Sequence, residues 1–129
     1  MKYYFLGIGG IGMSSLAKYL FDLGYQVMGY DKTSSYITEN LVASGIQILF
    51  DDNIELIPSN FNKENTQVVY TPAIPKDNPQ YDYFARQGYS IKKRAVLLGE
   101  ITKDFTVFAI AGTHGKTTTA SFLSHLFKY

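Results

Sequence analysis

An apolar run, Tyr3-Tyr4-Phe5-Leu6, leads straight into Gly7-Ile8-Gly9-Gly10-Ile11-Gly12-Met13. The run predicts a strand that ends at the glycines. A helix must start there too, because Met13, Leu16, Ala17, Leu20 and Leu23 recur at helical spacing. Gly7, Gly9 and Gly12 fit G-x-G-x-x-G, in which the first glycine permits a tight turn and the second lets backbone approach a diphosphate. The third lets helix and strand pack closely. Free amides and the positive end of a helix dipole then converge on one point, so an anion is the expected occupant. Glycine-rich turns of this kind also occur where nothing binds, and the next residues narrow the choice. Gly24 stops the helix, Gln26–Tyr30 reads as a second strand, and Asp31 closes it about twenty residues beyond the glycines, where a ribose-binding carboxylate belongs. The plain alternative is that Asp31 caps the following loop.

The alternation continues. Lys32-Thr33-Ser34-Ser35 is a capping loop, and Ile37, Leu41 and Val42 give the apolar side of a short helix closed by Gly45. Residues 46–50 form a third strand, which Asp51-Asp52-Asn53 breaks; this acidic pair reads as a turn. A helical turn at residues 54–57 and a polar loop precede the fourth strand, Thr66–Tyr70. Thr71-Pro72-Ala73-Ile74 follows at its C-terminal end, the side on which open parallel sheets bind ligands. Asn78-Pro79 caps a helix running to Gly88, residues 89–91 are a fifth strand, and a helix carrying Leu97, Leu98 and Ile101 fades near Lys103-Asp104. Strands and helices alternating at this pace predict an α/β fold, a Rossmann-like parallel sheet with helices on both faces, complete by residue 104.

With only 18% charged residues and a net charge of +1, nothing favours a nucleic-acid surface or a membrane patch, so any anion must be held by local geometry. Absence of cysteine excludes disulfides, thiolate metal sites and a cysteine nucleophile. No apolar stretch approaches the roughly 20 residues of a membrane span, and the glycine-broken N-terminal run reads as core strand rather than leader. The expectation is a cytoplasmic protein.

At residue 105 the pattern restarts. Residues 105–110 read as a sixth strand, followed by Ala111-Gly112-Thr113-His114-Gly115-Lys116-Thr117-Thr118-Thr119 and a helix, the layout of a P-loop. Its amides form a nest for phosphate, Lys116 can reach the β and γ phosphates of ATP, and the Thr117 hydroxyl can ligate Mg²⁺. Only Gly112 and Gly115 punctuate the loop, so the nest is tighter than the longer form of this motif. The expected division is a Rossmann-like domain for a diphosphate-bearing ligand over residues 1–104 and the first strand, P-loop and helix of a truncated ATPase domain over residues 105–129. Beside an ATP loop, the first site fits a transferase or ligase better than a nicotinamide enzyme, whose reading would leave Lys116 and Thr117 unemployed.

The glycine loop, Asp31, Thr71-Pro72-Ala73-Ile74, Asp77-Asn78-Pro79, Arg94-Ala95 with Glu100, and the Gly112–Thr118 segment together resemble the Mur ligases across nearly the whole chain in order. His114 before Gly115-Lys116 is similar to the branch that joins L-alanine to UDP-N-acetylmuramate. That resemblance implies a three-domain, ATP-dependent ligase of peptidoglycan synthesis that makes an acyl phosphate on the muramoyl carboxylate, which the amine of L-alanine attacks. A sibling that ligates a peptide in wall recycling would share both sites. By the same resemblance, the backbone around Gly9, Gly10, Ile11, Gly12 and Met13 holds the diphosphate and Asp31 serves the uridine. Thr71, Pro72, Ala73 and Ile74 line the sugar-nucleotide cleft, while Gly112, Thr113, His114, Gly115, Lys116, Thr117 and Thr118 hold ATP and Mg²⁺, with Lys116 and Thr117 catalytic.

One departure concerns the loop after the third strand, where similar enzymes often carry a histidine near the uracil and this chain has Asp51-Asp52. Arg94 is either a solvated charge or a group that touches phosphate or bridges the domains, and His125 reads as surface. The rest of an ATPase sheet, its acidic metal ligands and a C-terminal domain are absent, so the fragment is expected to bind UDP-sugar without turnover. Val107, Phe108 and Ile110 with Phe122, Leu123 and Leu126 form an apolar set expected to be mobile, unusually docked or buried in a dimer contact.

Overall fold

The computed structural model describes residues 1–111, with side chains through residue 102. Five strands, β1 (Lys2–Leu6), β2 (Gln26–Tyr30), β3 (Gln47–Leu49), β4 (Thr66–Tyr70) and β5 (Ser90–Lys93), pair in parallel in the order β3-β2-β1-β4-β5. Four α-helices connect and follow them: α1 (Ile11–Asp22), α2 (Tyr36–Ser44), α3 (Pro79–Gln87) and α4 (Arg94–Ala111), with a 3-10 turn at Ile54–Leu56. The chain winds outward from β1 to β3 and then returns to β4 on the other side of β1. The central strand therefore marks the topological switch, and a crevice opens beyond its C-terminal end.

Alternation along each strand decides which helix covers it. Phe5, Val27 and Val69 face α1, α2 and α4, packing with Leu16, Leu20, Leu41 and Leu97. Tyr4, Leu6, Met28 and Val68 face the opposite way, against Phe61 and the α3 residue Phe84. Tyr4, Phe5 and Leu6 are all fully buried, as a strand covered on both faces requires. The second face is aromatic: Phe84 meets Tyr4 at 4.9 Å and Tyr89 at 4.8 Å between ring centroids, both edge-on. Such pairs add about 0.5–1.5 kcal/mol beyond the area they bury.

Helix ends follow local chemistry. Ser35 caps α2 through a reciprocal box, its Oγ accepting from the Thr38 amide while its own amide donates to Thr38 Oγ1 at 2.8 Å, and Gly45 at φ 113° closes the helix. Ser35→Ala is expected to cost about 1 kcal/mol of unfolding free energy. Urea denaturation checks this, and an unchanged midpoint would show that tertiary packing alone holds α2.

The sixth strand expected at residues 105–110 is a correction: α4 continues through Lys103-Asp104 to Ala111. A short apolar run is ambiguous between strand and helix, and no glycine or proline interrupts the chain between Gly99 and Gly112. A helix satisfies its backbone internally, whereas a strand needs a neighbour. The ATP-loop residues Gly112, Thr113, His114, Gly115, Lys116, Thr117 and Thr118, the helix expected after them and His125 lie outside the described residues. β5 also takes in Lys92 and Lys93, beyond the strand expected over residues 89–91. As an edge strand it tolerates charge, which guards an open edge against further pairing.

Candidate functional site

Gly7, at φ 90°, turns the chain out of β1, and its amide and that of Ile8 both donate to the Tyr30 carbonyl, at 2.8 and 3.0 Å. The loop is thereby tied to the end of β2. The Gly9 amide then donates to Asp31 Oδ2 at 2.7 Å, and the Thr33 amide donates to Asp31 Oδ1 at 3.0 Å. Asp31 thus caps the following loop and clamps the glycine loop. Each oxygen keeps a further lone pair that a ribose hydroxyl could use.

The first α1 hydrogen bond runs from the Ser14 amide to the Gly10 carbonyl at 2.7 Å. The amides of Ile11, Gly12 and Met13 precede it. Gly10, the N-cap, has no side chain to satisfy them, and the first turn carries no acidic residue. These three donors stand at the positive end of a 12-residue helix. Arg94, the first residue of α4, reaches across to this turn, with Nη1, Cζ and Nε 3.0–3.2 Å from where a Cβ on Gly12 would sit. Gly12 is therefore needed for close approach of the guanidinium as well as for helix packing.

The Thr71–Ile74 turn, closed by the Ile74 amide donating to the Thr71 carbonyl at 3.0 Å, leans on Gly7 through the Ile74 side chain. Beside it a cleft of about 530 Å³ opens, with Ala73 and Ile74 on one wall and Asp51 and Asp52 on the other. Tyr30, Lys32, Phe50, Pro75, Asp77 and the Asn78-Pro79 start of α3 complete it. Asp31 is flanked by two lining residues but is not itself among them. Burial first, and the Asp52 carboxylate second, hold the Tyr30 hydroxyl above the usual tyrosine pKa, against the lowering effect of a hydrogen bond with Asn78.

Within the described residues the structure brings together the expected glycine loop, Asp31 and the turn at residues 71–74. It adds Lys32 and Tyr30, which sequence reasoning left as loop and strand, and turns Asp51-Asp52 from a break into a cleft wall. A buried glutamine, Gln80, also went unnoticed; its signal was a polar residue four positions before Phe84, on the apolar side of α3.

A family model described as Mur ligase family, catalytic domain matches residues 2–106. The chain belongs to the Mur ligase family. Among its relatives, the UDP-N-acetylmuramate--L-alanine ligase of Flavobacterium johnsoniae is 58% identical over 123 residues, 95% of this chain and 27% of that protein. The Porphyromonas gingivalis protein of the same name is 48% identical, over 98% of this chain and 28% of that protein. The chain thus spans about a quarter of the length of these Mur ligases. Among solved structures, the crystal structure of UDP-N-acetylmuramate-alanine ligase from Thermotoga maritima superposes with a TM-score of 0.72 at 30% identity, covering 81% of this chain and 23% of that one. Among the described residues no helix is long and apolar enough to cross a membrane.

Proposed function

We propose that this Mur ligase chain is the sugar-nucleotide-holding part of an ATP-dependent enzyme that joins L-alanine to UDP-N-acetylmuramate in peptidoglycan synthesis in the cytoplasm. The observation that carries the reading is the set of Ile11, Gly12 and Met13 amides in the first turn of α1, beyond the C-terminal end of the central strand, with a cleft of about 530 Å³ at the same end of the sheet. In this reading the diphosphate sits on those amides, with Arg94 adding positive charge to the same turn. The uridine lies on the Asp31 side, toward Lys32 and Asp52. The sugar and its carboxylate point past Thr71, Pro72, Ala73 and Ile74. The names carried by relatives at 48–58% identity support the choice of substrate and amino acid.

The ATP half of the proposal rests on sequence. Gly112 to Thr118 would cradle the triphosphate, with Lys116 on the β and γ phosphates and the Thr117 hydroxyl on Mg²⁺. ATP would supply phosphorylation of the muramoyl carboxylate, giving the amine of L-alanine an acyl phosphate to attack. The proposed division places residues 1–104 in the binding domain and residues 105–129 at the start of the ATP domain, with α4 running across the boundary.

These 129 residues are expected to bind UDP-N-acetylmuramate and UDP with saturable heat in calorimetry and to show no ligase turnover. Tight uptake of NADH with no heat from the UDP-sugar would overturn the reading in favour of a dinucleotide enzyme.

A further inference from the structure

Gln80 is fully buried in the first turn of α3, and both ends of its amide are engaged. The Tyr4 hydroxyl, on the central strand and also fully buried, donates to Gln80 Oε1 at 2.6 Å. On its other side Gln80 Nε2 donates to the carbonyls of Asp51 and Asn53, at 3.4 and 3.3 Å. One side chain therefore connects the middle of the sheet to the backbone of the segment whose Asp51 and Asp52 line the cleft.

The other hydrogen bonds of that segment are local, the Asn53 carbonyl also accepting from the Leu56 amide at 3.2 Å. The Asp51 side chain accepts from the Asn53 amide and the Asn53 side chain accepts from the Glu55 amide, both bonds within the loop. None of these fixes the loop's height above the sheet. A buried amide that answers two main-chain carbonyls does, because moving the loop would strand its donor away from water at a cost of about 1–3 kcal/mol. Burial also keeps the Tyr4 hydroxyl protonated, so it remains a donor.

We infer that Gln80 is a positioning residue for the nucleoside end of the site, setting where the Asp51–Asp52 wall stands relative to the diphosphate cradle. The inference rests on the sugar-nucleotide reading. It separates the site into two parts: the amides of Ile11, Gly12 and Met13, which Gln80 does not touch, and the acidic wall, which it holds.

The test titrates the 129-residue chain and its Gln80→Leu variant with UDP and, separately, with inorganic pyrophosphate, which reports the cradle alone. The expected result is about a tenfold loss of UDP affinity with pyrophosphate binding unchanged, the size that follows from losing a buried hydrogen bond. Gln80→Glu should lose UDP affinity at about pH 8, where a carboxylate faces two carbonyls, and regain it relative to wild type toward about pH 6 as the buried acid is protonated and can donate again. A residue that only fills space would show no such recovery. Unchanged UDP affinity, or equal losses for both ligands, overturns the inference. If Gln80→Leu fails to unfold cooperatively, Tyr4→Phe decides, with weakened UDP and retained pyrophosphate expected and unchanged UDP refuting it. Wild-type protein that binds neither ligand removes the sugar-nucleotide reading itself.

Discussion

Gly29→Ala is expected to lower the unfolding midpoint of this fold steeply. Gly29 lies in β2 opposite Phe5 in the parallel ladder, and a Cβ there would sit 2.6 Å from the Phe5 carbonyl oxygen and 2.8–2.9 Å from two atoms of Ile8. Neither neighbour can retreat. The carbonyl belongs to the central strand, and Ile8 is fully buried behind the loop whose amides bond Tyr30. Inserting a methyl into such packing costs about 3 kcal/mol, at the upper end of the usual range for overpacked cores. For a domain near 100 residues that corresponds to a fall in Tm of about 12–24 °C. Gly99→Ala is the matching control, because nothing lies within 4 Å of its Cβ position on an exposed stretch of α4. There alanine should stabilise by about 0.5–1 kcal/mol through helix propensity. Calorimetric melts of the two variants should move in opposite directions. An unchanged or raised melt for Gly29→Ala would mean that the β1–β2 spacing leaves room for a methyl group.

The elements that local chemistry encodes were legible in the sequence. Glycine beside an apolar run gave β1 and β2 within a residue, a polar loop before one gave β4, and Gly45 and Gly88, both at positive φ, ended α2 and α3 as a chain without a Cβ penalty allows. Asn78-Pro79 started α3, where the Asn78 side chain accepts from the amides of Gln80 and Tyr81. What local pattern could not give was contact between distant segments. The bond from the Thr33 amide to Asp31 is local, the loop cap that the sequence offers, whereas the bond from the Gly9 amide depends on how β1 and β2 register, which no spacing rule states. Gln80 looked like one more polar helix residue until the turn of α3 aimed it at Tyr4. Residues 105–110 show the converse: valine, phenylalanine and isoleucine suit a strand, but a strand is favourable only beside a partner, and the unbroken helix continues instead.

The second large effect concerns the clamp between Gly9 and Asp31. A Cβ on Gly9 would lie 2.7 Å from Asp31 Oδ2, the oxygen that already accepts the Gly9 amide at 2.7 Å, and 3.0 Å from Thr38 Cγ2. Methyl and carboxylate cannot both occupy that place. Gly9→Ala should therefore push Asp31 aside, releasing the Thr33 amide as well and shifting the loop that presents Ile11, Gly12 and Met13. Asp31→Ala removes the same acceptor directly, a charge-assisted pair of bonds whose loss costs about 1.5–3 kcal/mol. Either substitution alone is expected to weaken UDP by about ten- to a hundredfold, which corresponds to about 1.4–2.8 kcal/mol. Because both act through one contact, their effects should not add: the Gly9→Ala/Asp31→Ala double variant should bind UDP about as well as Asp31→Ala, since the new methyl then enters space the carboxylate has left. Calorimetric titration of the four proteins with UDP closes the cycle. Losses that simply multiply would show that Gly9 and Asp31 serve the ligand independently, and that the glycine loop does not need the carboxylate to hold its shape.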